Sequence, residues 1–283
     1  MTITILPQSE GSQAGKIHRE TGAAWDLIAG AGYSAEVEQD VTFLRAGGVT
    51  LLEPERRLLE GLDEWCDCAL QLQCSGARDL LSIWNMGAKS IVGVDISETL
   101  IGYARQKSDA LGAPASWYCC DVLETPRELN GTADLVYTGR GALMWMIDLE
   151  GWAAVIERLL RPGGQVLVFE GHPLDNLWQR EADAFELRPD GVGYFDEEPY
   201  ENPGFPSSAL IRATGDRAQR PKMLERNWRP GEVINALAAA GLQYVHFDEY
   251  PVLFWDQFKE IPARTADRLP HTYSVLMQKA GGK

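Results

Sequence analysis

Gln73-Cys74-Ser75-Gly76-Ala77-Arg78 is a short polar elbow between an alternating apolar run at 69–74 and a stretch with helical spacing at 79–86. A strand, a loop and a helix N-terminus in that order present backbone N–H groups to a nucleotide-like ligand. Dinucleotide loops use three glycines so that backbone can approach a pyrophosphate. This elbow has Gly76 alone, which disfavours NAD and FAD. No Gly-Lys-Ser/Thr follows it, which disfavours ATP. A nucleoside without phosphates fits the elbow better. Asp95 stands nineteen residues beyond Gly76, at the end of "IVGVD". A carboxylate there can accept two hydrogen bonds from vicinal ribose hydroxyls. Asp121 ends the next β-rich run and can accept from an exocyclic adenine amine, with Ile96 and Val122 on the ring faces and Cys120 at its edge.

These residues need a scaffold that brings successive strand ends together. Runs at 69–74, 90–96, 116–122, 133–139, 165–171, 242–250 and 271–279 read as strands. Runs at 54–65, 79–86, 98–111, 149–160 and 230–241 read as helices, with Ser97 as an N-cap and Pro54 and Pro230 at helix starts. The alternation implies βαβ crossovers, hence a doubly wound α/β fold with a parallel sheet. Residues 1–20 are polar and read as a mobile start, and 21–66 are helical in spacing. Residues 172–228 break the rhythm with Pro, Gly, acids and aromatics: Trp178, Phe185, Tyr194, Phe195, Tyr200, Phe205 and Trp228.

The chain has 283 residues and 45% apolar content, enough for a sizeable core. Its net charge of −15 repels phosphate backbones, so nucleic acid is excluded as the expected partner. No apolar run is long enough for a membrane helix, and the first residues do not read as a signal peptide. Cys66, Cys68, Cys74, Cys119 and Cys120 are odd in number and lack metal-ligand spacing, so they read as buried free thiols in a reducing cytoplasm, with no metal site.

Residues 69–170 resemble the core of class I S-adenosylmethionine-dependent methyltransferases. "LQLQCSGARDLLSI" is similar to that family's first motif, "VGVDIS" to the second and "CDV" to the third. "ADLVYTGRGALMW" with "LLRPGGQVLVFEGHP" resembles its fourth-to-fifth strand region, and the ending resembles a bacterial small-molecule branch. Where the family usually has an acid this chain has Gln71, and Gln73 and Ala77 replace usual glycines.

The resemblance implies a Rossmann-like seven-stranded sheet with its last strand antiparallel. It implies a core at 67–171 completed by 229–283, an N-terminal helical lid at 21–66 and an inserted acceptor cap at 172–228. S-adenosylmethionine would lie on Gln73, Cys74, Ser75, Gly76, Asp95, Ile96, Cys120, Asp121, Val122 and Thr138, with Tyr33 closing over it. His172 is the expected general base or acceptor anchor, and Arg140 a substrate contact. The expected acceptor is a small apolar or aromatic metabolite, methylated on O, N or C. A silent cofactor-binding protein and a protein or RNA methyltransferase stand as alternatives, and a homo-oligomer is left open.

Overall fold

In the computed structural model, which describes residues 3–6, 12–32, 34–189, 191–201, 209 and 221–281, the β-rich runs pair into one sheet. Its strands are β1 (Ile3–Ile5), β2 (Cys68–Leu72), β3 (Ser90–Asp95), β4 (Ala115–Cys119), β5 (Ala133–Gly139), β6 (Leu160–Gly171), β9 (Gln243–Tyr250) and β10 (Thr272–Gln278). They lie in the order β1-β4-β3-β2-β5-β6-β10-β9. Strands β1 to β6 pair in parallel. β10 is antiparallel to both of its neighbours, as expected of the last strand. A two-stranded ribbon, β7 (Tyr200–Glu201) with β8 (Leu224–Glu225), stands apart.

The sheet has eight strands, one more than expected. The addition is β1, from the segment read as mobile. Ile3, Thr4 and Ile5 pair with Trp117, Tyr118 and Cys119 of β4. Two of the three are isoleucines and all are β-branched, and such residues suit a pleated edge. The pairing covers the backbone groups that β4 would otherwise present at the sheet edge.

Helices cover both faces. They include α1 (Gln13–Gly32), α2 (Ser34–Arg45), α3 (Glu53–Leu58), α4 (Leu62–Trp65), α5 (Arg78–Asn85), α6 (Glu98–Leu111) and α7 (Leu149–Leu159), then the helix Pro230–Ala239. The single helix expected at 54–65 is two, because Gly61 between them has φ +68° and cannot continue an α-helix. Ser97 caps α6 as expected, its hydroxyl accepting from Leu100 N at 3.1 Å. Successive β5 residues feed opposite layers: Leu135 and Tyr137 pack beside Leu81, Ile101 and Trp117, and Val136 packs beside Trp152 and Leu237. That two-sided burial is why these strands read as continuous apolar runs. The chain leaves β2 and β5 toward opposite halves of the sheet, so their C-terminal ends diverge and leave a crevice, where ligands bind in such folds.

Candidate functional site

A cavity of about 920 Å³ opens at that crevice. Small-molecule sites span roughly 300–1,000 Å³. Its floor is the elbow. Gln73, Ser75 and Ala77 adopt φ of 53°, 50° and 58°. The elbow therefore keeps the backbone of a glycine-rich loop while carrying side chains. Left-handed backbone costs an L-residue roughly 1–2 kcal/mol, so this conformation must be held from outside. Lys107 does part of that: buried, it donates to Gly76 O at 2.9 Å and pairs with Asp40 at 2.7 Å. A Cβ at Gly76 would come 3.0 Å from the Lys107 Nζ. Asp40 also pairs with Arg78 at 2.9 Å, so α2 is clamped onto the elbow.

Gln73 Nε2 donates to Ala142 O at 2.7 Å, and this leaves its Oε1 buried without a partner among the described residues. Gln71 Oε1 and Thr21 Oγ1 are in the same condition. All three residues line the cavity. A buried polar atom left unmet costs about 1–3 kcal/mol, so each marks a place for a ligand group that supplies a hydrogen.

Asp95 lines the cavity at the end of β3. Its oxygens accept Ser75 N at 2.7 Å and Ser97 N at 2.9 Å. Burial pushes its carboxyl up to about 6, against the lowering effect of those two bonds. The Ile96 N–H also reaches this carboxylate, which with about four acceptor sites keeps room for a further donor. Asp121, Ile96 and Val122 also line the cavity, as expected. Asp121 is more engaged than its sequence suggests. One oxygen accepts Leu123 N and the other lies 2.8 Å from His18 Nδ1. His18 Nε2 accepts Ile147 N at 3.1 Å, which puts the ring hydrogen on Nδ1 and makes Asp121 its acceptor. His18, on α1, was not foreseen. Asp26 of the same helix accepts from Ser97 Oγ and Thr99 N, fixing α1 over the cavity.

Cys74, Ser75 and Gly76 line the cavity. Cys120 and Thr138 do not; both are fully buried, Thr138 in β5 and Cys120 just past the end of β4. Gly139 and Arg140 take the place expected of Thr138. Alternation along β5 points Thr138 away from the cavity, where its hydroxyl has no partner among the described residues. Tyr33 and Phe205 lie outside the described residues.

Arg140 reaches the cavity but is held by Asp79 at 2.7 Å. Burial disfavours its charge, and the carboxylates of Asp79 and Glu55 overcome that and raise its pKa. Glu55, fully buried, accepts the Tyr137 hydroxyl at 2.6 Å; burial raises its carboxyl to about 7. The next loop is built on Glu170, whose carboxylate accepts Gly141, Ala142 and Leu143 N–H at 2.7–2.9 Å. Gly141 has φ +91°, and a Cβ there would strike Trp255 at 2.6 Å.

A second cavity of about 80 Å³ adjoins the first; Gly141, Met144, Arg180, Phe254, Trp255 and Gln257 line both. His172 belongs to this smaller one. Its Nε2 lies 2.8 Å from Glu249, and its Nδ1 accepts Leu174 N at 3.3 Å. The nitrogen that could take a proton is thus already an acceptor, and burial lowers the His172 pKa despite Glu249. His172 caps the 3-10 turn Pro173–Leu177 and does not offer a free base. Among the aromatics expected to line an acceptor pocket, Trp228 lines the smaller cavity. Trp178 and Phe185 instead pack on Phe258, and Phe195 is 73% exposed. The large cavity takes its rings from Trp25, Phe43, Trp145, Phe254 and Trp255.

Residues 69–164, from β2 into β6, match the family model described as a methyltransferase domain. That stretch, about a third of the chain, is similar to this family. No curated protein matches the chain in sequence. Among solved structures, the chain is similar to an S-adenosylmethionine-dependent methyltransferase from Mesorhizobium loti (18% identity, 80% of this chain and 96% of that one, TM-score 0.56). It is similar to a geranyl diphosphate C-methyltransferase from Streptomyces coelicolor (11%, 80% and 76%, TM-score 0.53). It is also similar to the [4+2]-cyclase SpnF (14%, 94% and 97%, TM-score 0.56). These likenesses show the fold. The matched stretch supplies Asp95, Asp121 and the elbow, while His18 and Asp40 come from helices that precede it and Arg226 and Asn227 from the chain that follows it.

Proposed function

We propose that the protein transfers a methyl group from S-adenosylmethionine to a small molecule with an apolar or aromatic body. The observation that carries this reading is the pairing of Asp95 with orphaned oxygens in one cavity. The residues fit the cofactor. Asp95 offers a carboxylate to the ribose diol, and Asp121, Ile96 and Val122 stand where an adenine would follow. Gln71, Gln73 and Thr21 hold unmet oxygens suited to an ammonium group. Glu36, Asp40, Asp79, Asp95, Asp121 and Glu225 outnumber Arg78, Lys107, Arg140 and Arg180 around the cavity, a balance that favours a ligand of net positive charge.

When bound, the cofactor supplies a methyl group on a cationic sulfur, open to in-line attack. The chain's own task is to align and enclose. Asp95 and the elbow fix the nucleoside end, and α1 and α2 exclude water over it, clamped by Asp26 and Asp40. Holding two reactants in register is the main contribution open to such a site. His172 and His18 both have their ring nitrogens engaged, so the reading assigns neither a proton-transfer role. The geranyl diphosphate C-methyltransferase among the similar structures acts, by its name, on a small molecule, which supports the same class of acceptor here.

Calorimetric titration with S-adenosylhomocysteine tests the reading, beside Asp95→Ala. Binding by the parent that falls at least a hundredfold in the variant is expected. No binding by the parent would sink it. Binding without transfer of labelled methyl to any small acceptor would favour a silent binding protein.

A further inference from the structure

The smaller cavity differs from the larger in which polar atoms it leaves unmet. Asn227 is 4% exposed and lines it. Its Oδ1 accepts Asn176 Nδ2 at 2.7 Å, with the Tyr200 hydroxyl at 3.2 Å. Those contacts fix the amide, and its Nδ2 is left buried with no acceptor among the described residues. Arg226 is fixed as well. Its guanidinium lies 3.6 Å from the Trp228 ring centroid, and one Nη meets Glu232 at 3.3 Å. Its Nε is buried and unmet. The Thr272 hydroxyl on the same wall is also unmet, and a hydroxyl can donate as well as accept.

The acids around the same space are already satisfied. Glu170 takes three backbone N–H groups. Asp175 takes His271 at 2.7 Å and Gln257 at 2.7 Å. A cationic or donor group arriving here would find the carboxylates engaged, whereas an oxygen would find two rigid N–H donors. Glu232 already offsets the charge of Arg226. Arg180 lines both cavities and brings a second positive charge to this space, near enough to Asp175 to help lower its carboxyl. Two donors and a second cation suit two oxygens sharing a negative charge. The volume of about 80 Å³ admits a group of only a few heavy atoms.

We propose that this cavity anchors a carboxylate carried by the methyl acceptor, with Asn227 Nδ2 and Arg226 Nε donating to its oxygens. The acceptor's apolar body then runs past Met144, Phe254 and Trp255, which line both cavities, toward the larger one. Asn227 and Arg226 are specificity residues: they set which acceptor is held and leave the cofactor's contacts alone. The inference rests on the proposed methyl transfer for its assignment of the ligand as acceptor.

The test uses the full chain saturated with S-adenosylhomocysteine. Benzoate, cinnamate and 4-hydroxybenzoate are titrated by calorimetry, each beside its primary amide. At least one acid is expected to bind at least tenfold more tightly than its amide. Asn227→Asp, which keeps the shape and faces the acid with a second carboxylate, should weaken that acid at least tenfold. Arg226→Gln should weaken it too, and neither change should move S-adenosylhomocysteine affinity more than twofold. The proposal is overturned if no acid binds, if acids and amides bind alike, or if Asn227→Asp leaves acid affinity unchanged. Loss of S-adenosylhomocysteine binding by the parent would instead strike the methyl-transfer reading.

Discussion

The two cavities share a wall and differ in the polar atoms they leave unmet. The larger leaves oxygens unmet, on Gln71, Gln73 and Thr21, and the smaller leaves N–H groups unmet, on Arg226 and Asn227, beside the Thr272 hydroxyl, which can give or take a hydrogen. A folded chain meets nearly all its buried polar groups, so groups left over on a cavity wall describe the complement of what enters. Here they describe two different guests, one that donates hydrogens and one that accepts them. The wall between them is the loop 141–143, which hangs from Glu170.

Breaking that wall should have the largest effect. Glu170→Ala strands three backbone N–H groups, each worth about 1 kcal/mol or more when unmet. A loss of about 3 kcal/mol in urea unfolding is expected, with weaker binding of both ligands. A variant of parental stability would show that the wall is not held this way.

The network beneath the larger cavity sharpens the comparison through pH. The Glu55 carboxyl sits at about 7 against an ordinary 4.5, chiefly from burial. Its folded pKa is raised, so ionising it works against the fold above pH 7, and this penalty fades as pH falls from about 7 toward 4.5. Glu55→Gln should therefore gain on the parent by about 1–3 kcal/mol between pH 5 and pH 8, read from denaturant midpoints at each pH. A constant gap would contradict the raised value. Tyr137→Phe removes the hydroxyl donated to Glu55 at 2.6 Å and should cost about 1–2 kcal/mol at pH 8.

His172 separates positioning from chemistry. Its loss should cost about 1 kcal/mol as a lost cap and change the rate of methyl transfer at saturating ligands less than threefold. A drop beyond tenfold would restore the base role that the sequence suggested. The smallest effect is at the elbow. Ser75→Gly relieves a left-handed residue at φ 50° and should add about 0.5 kcal/mol, the relief less the entropy of a new glycine.

Local signals in the sequence carried the elbow, Asp95 and the Ser97 cap, because each follows from spacing within one strand-to-helix turn. Thr138 failed by one residue, since strand parity decides which side chain meets a cavity and the end of a strand is hard to place from pattern alone. Cys120 is off the cavity lining as well, one residue past the end of β4. His18 carried no local mark; it meets Asp121 across 103 residues of chain. Asn227 and Arg226 follow an aperiodic segment, and only packing against Tyr200, Asn176 and Trp228 reveals which of their atoms stay unmet. Gln71 and Gln73 looked like losses from a family motif. In the fold they are the unmet acceptors of the larger cavity.

The most direct test of the central claim is calorimetric titration of S-adenosylhomocysteine between pH 5 and pH 8. Asp95 holds its proton up to about pH 6 in the free protein, and a ribose diol needs it ionised. Binding is expected to weaken about tenfold from pH 7.5 to pH 5, and Asp95→Asn should flatten that dependence. Absent binding, or an affinity independent of pH in the parent, would contradict the placement of the cofactor on Asp95.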